Sequence, residues 1–329
     1  MRHTTETKSP VRSIRTFSSV LPWLAMPLNK KTFSAELNLI RKVYVNFIKI
    51  QRDQKNNKTC LPLVFVDCCT DEKIPFTPEK VGIYLDFVKF FVRPISMLLK
   101  HYGLRKGASK CAHYINFLAS LYESAGTVYS YCLTTTHRPV CENNKKFEFI
   151  YRNDPHYLCV PSLHICIVAG CCAYFKNLFE KEHFSREERE LWNREFFEDA
   201  VAIGESVLFV KQHSVNCIPA ALYMLTVLHN DIYSAYDAID FINSLFAHDG
   251  IIPSADRTEI ITHINFMYER LLLEGAYCDS WQDPVKRWIR SYAEQTHQTI
   301  LYERLLLEGA YCDSWQDPVK RWIRSYAEQ

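Results

Sequence analysis

Two stretches of this 329-residue chain, residues 155–175 and 212–230, contain no Asp, Glu, Lys or Arg. An uncharged run of that length either folds as an element wrapped on all sides by apolar partners or lies in lipid. Both runs carry histidine, serine and proline, and the first two are polar groups that need partners wherever they are buried. The sequence around them is different. Residues 80–93 place Val, Ile, Leu and Phe among Lys80, Asp86, Lys89 and Arg93 at helical spacing, a pattern that would carry charge into a bilayer. The expected fold is therefore all-α: a helical bundle with the two uncharged runs as central helices. Such a chain is expected to be soluble or peripheral, cytoplasmic or membrane-associated, with insertion into the membrane as the alternative.

Helical periodicity extends over much of the chain. Leu37, Ile40, Tyr44, Phe47 and Ile48 predict a first helix over residues 35–51, and Leu61 to Val66 predict a short strand or extended connector. Thr77 and Pro78 form a helix start, with a bend or break expected at Pro94 and a new helix opening at Ser109. Residues 141–154 are polar and read as the longest loop. Ser185 and Glu188 make a capping box for a helix running to Val207. Helices are expected again over residues 233–246 and 256–274, with a last short one after Asp283-Pro284. Residues 1–34 read as a poorly ordered arm, because Pro22 and Pro27 interrupt their apolar run and no cleavage site of the signal-peptide kind follows. A single domain over residues 35–295 remains.

Lys and Arg number 39 against 37 Asp and Glu, and the net charge of +2 supplies no field suited to a nucleic-acid partner. The thirteen cysteines are odd in number and sit largely on apolar faces, as in Ile165-Cys166-Ile167, so they are expected as free thiols. His213 and Cys217 lie at helical i, i+4 spacing, but no second ligand pair completes a zinc site, and no metal or cofactor is expected.

Three short motifs carry the chemistry: Arg138-Pro139, Pro161-Ser162-Leu163-His164, and Ser206 followed by His213 and Cys217. Arg138 is a permanent cation whose planar fork matches two phosphate oxygens. His164 and His213 can divide the work of base or nucleophile and acid near neutral pH. Both histidine segments precede apparent helix starts, where free N–H groups favour an anion.

In order and spacing these motifs resemble those of the phosphatidic acid phosphatase type 2 and vanadium haloperoxidase superfamily, whose helical bundle carries its motifs on facing helices. The resemblance implies a phosphatase or phosphotransferase acting on a phosphomonoester or lipid phosphate. By it, His213 would attack phosphorus, His164 would protonate the leaving group and Arg138 would bind the phosphate. Tyr131, Val207 and Cys217 stand where that pattern has lysine, arginine and aspartate. A branch similar to inositol-phosphorylceramide synthases also lacks the two cations, and Lys211 could substitute for one of them. Cys217 is the larger departure, since a thiol cannot orient an imidazole as a carboxylate does. A helical relative that binds or scaffolds without catalysis is therefore the alternative. Halide oxidation with vanadate would need the full set of cations.

The tail holds a second unusual feature. Residues 268–295 recur without a change as residues 302–329. Two copies at a period of 34 residues are too few for a solenoid, so the second is expected to be redundant.

Overall fold

The computed structural model describes residues 11–309 apart from residues 60, 142 and 249, with side chains considered to residue 295. Two compact units divide the chain, residues 1–285 and residues 286–329. The fold of the first is all-α, as the periodicity requires. In chain order its helices are α1 (Leu21–Ala25), α2 (Lys30–Val43), α3 (Lys49–Lys55), α4 (Val81–Leu85), α5 (Phe87–Tyr129) and α6 (Lys145–Asn153), followed by α7 (Leu163–Lys181), α8 (Arg186–Phe209), α9 (Cys217–Leu228), α10 (Ala235–Ser244) and α11 (Ser254–Gly275). A turn of π-helix, Tyr44–Ile48, joins α2 to α3. The second unit holds all but the first four residues of α12 (Gln282–Gly309), and in it Trp288 and Tyr292 pair their rings at 5.3 Å.

Helix α7 is the centre of the bundle and packs against α5, α8 and α9. Its residues Ile165 to Ala169 are all buried, as is every residue of α9 from Cys217 to Leu225. The two uncharged runs thus supply the innermost helices. Among the described residues, α7 alone is long and apolar enough to cross a membrane, and 61% of that apolar window is buried inside the fold. Aromatic rings fill the space around it. Phe175 stacks on Phe196 of α8 at 5.0 Å, and Phe179 meets Trp192 at 5.3 Å. Fully burying one such side chain stabilises the fold by about 1.5–3 kcal/mol.

Helix α5 reverses on itself. The break falls at Gly103, with φ 72° and ψ 170°, and the expected bend at Pro94 is corrected: Pro94 sits inside the first arm. Proline keeps helical dihedrals and removes only one donor, whereas the Gly103 conformation is open essentially to glycine alone. The two arms, residues 87–102 and 104–129, return side by side. Cross-links between them include the Tyr114 hydroxyl donating to the Phe91 carbonyl at 2.9 Å and the Cys111 thiol to the Ile95 carbonyl at 3.8 Å.

The polar stretch expected as a loop over residues 141–154 contains α6. Asn144 caps it by accepting from the Lys146 and Phe147 N–H groups, and Phe147 and Ile150 are buried. With Tyr151 these apolar residues fall at i, i+3 and i+4, a short amphipathic period masked by Lys145, Lys146, Glu148 and Arg152. The first helix also starts earlier than expected, at Lys30. Of the arm expected to be loose over residues 1–34, residues 11–34 are anchored and residues 1–10 lie outside the described residues. The Ile14 N–H donates to the Glu195 carboxylate at 2.7 Å, the Trp192 indole donates to the Arg12 carbonyl, and Arg15 pairs with Glu198 and Asp199.

Two three-residue strands, β1 (Leu63–Phe65) and β2 (Leu133–Thr135), pair in parallel with Leu63 opposite Leu133. The segment before α7 adds to this pair through a bridge between Thr134 and Leu158. The Thr134 hydroxyl accepts from the Cys159 and Val160 N–H groups at 3.1 and 2.8 Å. That clamp fixes the chain leading to Pro161 and Ser162.

Of the repeated sequence, the first copy begins on α11. There Tyr268 bonds Thr226 of α9 at 2.8 Å, and Gly275 lies so close to Tyr223 that a Cβ would meet its hydroxyl at 2.1 Å. The second copy continues α12 as far as Gly309, and its residues 310–329 lie outside the described residues.

Replacing Gly103 with alanine should lower unfolding free energy by about 1–3 kcal/mol without moving the site described next. A urea titration with an unchanged midpoint would show that the reversal is not held at that residue.

Candidate active site

Three imidazoles border one cavity of about 210 Å³, together with Asp154, Cys159 and an apolar lining that includes Tyr84, Phe87 and Leu163. Each arrives on a differently constrained segment. His164 is the second residue of α7, whose start is capped by Ser162 accepting from the Ile165 N–H. His213 lies in the loop between α8 and α9, and its N–H and that of Gln212 both donate to the Val207 carbonyl. The Asp71 carboxylate holds the same loop by accepting from the Val215 N–H at 2.8 Å, and Asn216 donates to the Val66 carbonyl. His156 has a positive φ of 69° and its N–H donates to Asp154.

The two histidines singled out in the sequence meet. His164 Nδ1 lies 3.1 Å from His213 Nε2, and the Ser162 hydroxyl lies 3.3 Å from the same Nε2. Two neutral rings at that distance share one proton, so one is donor and the other acceptor. The His164 ring is also packed by Phe87 at 4.5 Å and Tyr84 at 5.0 Å.

Arg138 does not line this cavity and reaches it through Asp154. One arm of its guanidinium donates to the Asp154 carbonyl at 3.0 Å and the other to the Asp154 carboxylate at 3.3 Å, while the plane lies over the Tyr151 ring. Its Nε is buried without a hydrogen-bond partner. The expected phosphate clamp thus holds Asp154 in this state. Its positive charge still reaches the histidines and disfavours protonation of all three.

Lys211 requires a correction. Its ammonium donates to the Asp71 and Ile74 carbonyls at 2.7 and 2.5 Å and does not line the cavity. The left-handed backbone at Lys211, φ 54°, ends α8 and turns the side chain toward that carbonyl pair. Ser206 is likewise turned away, its hydroxyl donating back to Ile203 within α8.

Cys217 does not orient His213. Its buried thiol bonds to Cys159, and burial pushes it well above the usual thiol range, so it stays protonated. The Cys159 carbonyl lies near enough to favour a charged His213 ring, yet His213 Nδ1 completes no hydrogen bond. His156 is tied instead to Thr136, 2.7 Å from its Nε2, and to the Cys159 sulfur at 3.5 Å.

His156 and Asp154 were not among the expected site residues. The signal for His156 was available, since a histidine inside an uncharged, buried run must find a polar partner. Asp154 was concealed because its stretch resembled solvent-exposed loop. Among the described residues no group of three or more His, Cys, Asp or Glu is arranged to hold a metal ion. No family model, curated protein or solved structure matches this chain.

Burial, with Arg138 nearby, moves all three histidines below their ordinary range. His164 falls to about 4, while His156 and His213 fall well below 6.5. Between those values the unfolded chain binds protons that the native site refuses, so stability rises with pH there. Melting temperature should therefore drop as pH falls from about 6.5 toward about 4, and His164→Gln should flatten the slope. A pH-independent melting temperature over that window would contradict neutral burial of the three rings.

Proposed function

We propose that the chain transfers or hydrolyses the phosphoryl group of a phosphomonoester or lipid phosphate, with His213 as nucleophile and His164 as acid. The observation that carries this reading is the 3.1 Å approach of two histidines 49 residues apart, at a cavity lined by Asp154, whose carboxylate Arg138 holds at 3.3 Å. The resemblance of the three motifs to the type 2 phosphatidic acid phosphatases supports the same assignment of roles.

In this scheme a phosphate enters between the two rings, which part to admit it. His213 Nε2 forms a bond to phosphorus as the bond to the leaving oxygen breaks, and His164 gives that oxygen its proton. Water then attacks the phosphohistidine, with His164 now taking a proton, and inorganic phosphate leaves. An empty cavity keeps His164 neutral, and a bound phosphate dianion supplies the charge that favours its protonated form. Arg138 exchanges Asp154 for the non-bridging oxygens and stabilises charge on them as they move.

One observation favours a second reading, phosphate binding without turnover. Cys217 bonds Cys159 and not His213, so no carboxylate orients the proposed nucleophile. By analogy with removal of the orienting carboxylate of a catalytic triad, about 10⁴ in rate is at stake.

Release of phosphate from an aryl phosphate by the purified chain separates the two. The first reading expects release that His213→Gln reduces to background and Cys217→Asp increases. Equal rates with and without His213 would eliminate it, and phosphate binding with no release in any variant would leave the second. Asp154→Asn removes a like charge from the site and frees one arm of Arg138. It should tighten inorganic phosphate binding about tenfold, on the order of 1.4 kcal/mol, as measured by calorimetry.

A further inference from the structure

The segment from residue 11 to residue 58 differs from the rest of the chain in two ways. It holds ten Lys and Arg against two Asp and Glu, a net charge of +8 in a chain whose total is +2. Eleven of the twenty-five exposed large apolar side chains among the described residues also fall between residues 20 and 48.

The two features share one surface. Along α2 and the π-turn, Phe33, Leu37, Ile40, Tyr44 and Ile48 recur at spacings of four, three, four and four, and each is between 41% and 55% exposed. This is the stripe a helix normally buries. Polar contacts also tie α2 to α5, with Asn38 bonded to Asn116 and Lys42 paired with Glu123. Ahead of the stripe, Leu24 is 67% and Leu28 82% exposed, and Trp23 is half-exposed beside them. Lys30, Lys31, Arg41, Arg52, Lys55 and Lys58 are exposed and make no ion pair among the described residues.

We propose that α1 to α3 form a docking face for an anionic lipid surface, lying in the plane of the interface with the apolar stripe toward the acyl chains and the free cations among the headgroups. A helix with a half-exposed apolar stripe, interfacial Trp and Tyr, and Lys and Arg outside any ion pair are the combination such a surface recognises. Helix α2, the π-turn and α3 run on as one helix from Lys30 to Lys55, but Glu36, Arg41, Lys42, Lys49, Arg52 and Asp53 along it would carry charge into the hydrocarbon, so it suits the interface and not the interior of a bilayer. Beside the stripe, an apolar groove of about 390 Å³ lies between α2 and α5, and Trp23, Ile40, Tyr44 and Ile48 line it as well as the exposed face. Tyr122 lines this groove and also borders the histidine cavity, so its ring forms part of the wall of both. The docking itself does not depend on the chemistry at His213.

Flotation with phosphatidylcholine vesicles, with and without phosphatidylserine, tests the proposal on the full chain. The expected result is binding to the anionic vesicles, weakened by salt and by loss of phosphatidylserine. Removing one of the free cations should lower partitioning about fivefold. Leu24→Glu with Leu37→Glu should abolish binding while leaving the melting temperature unchanged, since both side chains are exposed. Absence of wild-type binding to anionic vesicles would overturn the proposal. So would a concentration-dependent dimer dispersed by Leu37→Glu, which would assign the face to a second copy of the chain.

Discussion

The structure depends on the enclosure of α7. A helix without a charge from Leu163 to Phe175 has no side to offer water, so α5, α8 and α9 must surround it. Enclosing a helix leaves its first turn as the one place where polar groups can be gathered inside the bundle. Ser162 and His164 sit on that turn, and the loop before α9 brings His213 against them. The candidate site is thus a by-product of how the core closes. It lies where two buried helices begin, and the Thr134 clamp and the Asp71 carboxylate keep the entering chains in place.

The same enclosure sets the electrostatics. Burial of three imidazoles around one cavity, with the charge of Arg138 nearby, holds all three toward their neutral forms. Asp154 offsets the charge of Arg138, and any anion reaching that guanidinium has to compete with the carboxylate.

Much of the frame was legible in the sequence because it rests on period and on charge. The uncharged runs identified the innermost helices, and the capping box at Ser185 and Glu188 marked where α8 begins. The pairing of His164 with His213 followed from motif order. What escaped depended on local backbone geometry or on contacts across the fold. Gly103 and not Pro94 reverses α5, because a positive φ is invisible in a hydropathy pattern. Lys211 belongs to a carbonyl pair at the end of α8, since the left-handed turn there directs it away from the histidines. The amphipathic α6 was hidden by its charged residues, and with it the position of Asp154.

The seating of α11 carries a consequence for the repeated tail. Tyr268 reaches Thr226, and Gly275 fits beneath the Tyr223 ring, through atoms that residues 302–309 possess identically. The identity does not extend ahead of Tyr268. Ile260, Ile264 and Met267, which α11 buries ahead of Tyr268, have Glu294, Gln298 and Leu301 as their counterparts 34 positions on. The duplication thus copied the second half of an anchor without its apolar leader, and only the copy that follows that leader has the whole of it.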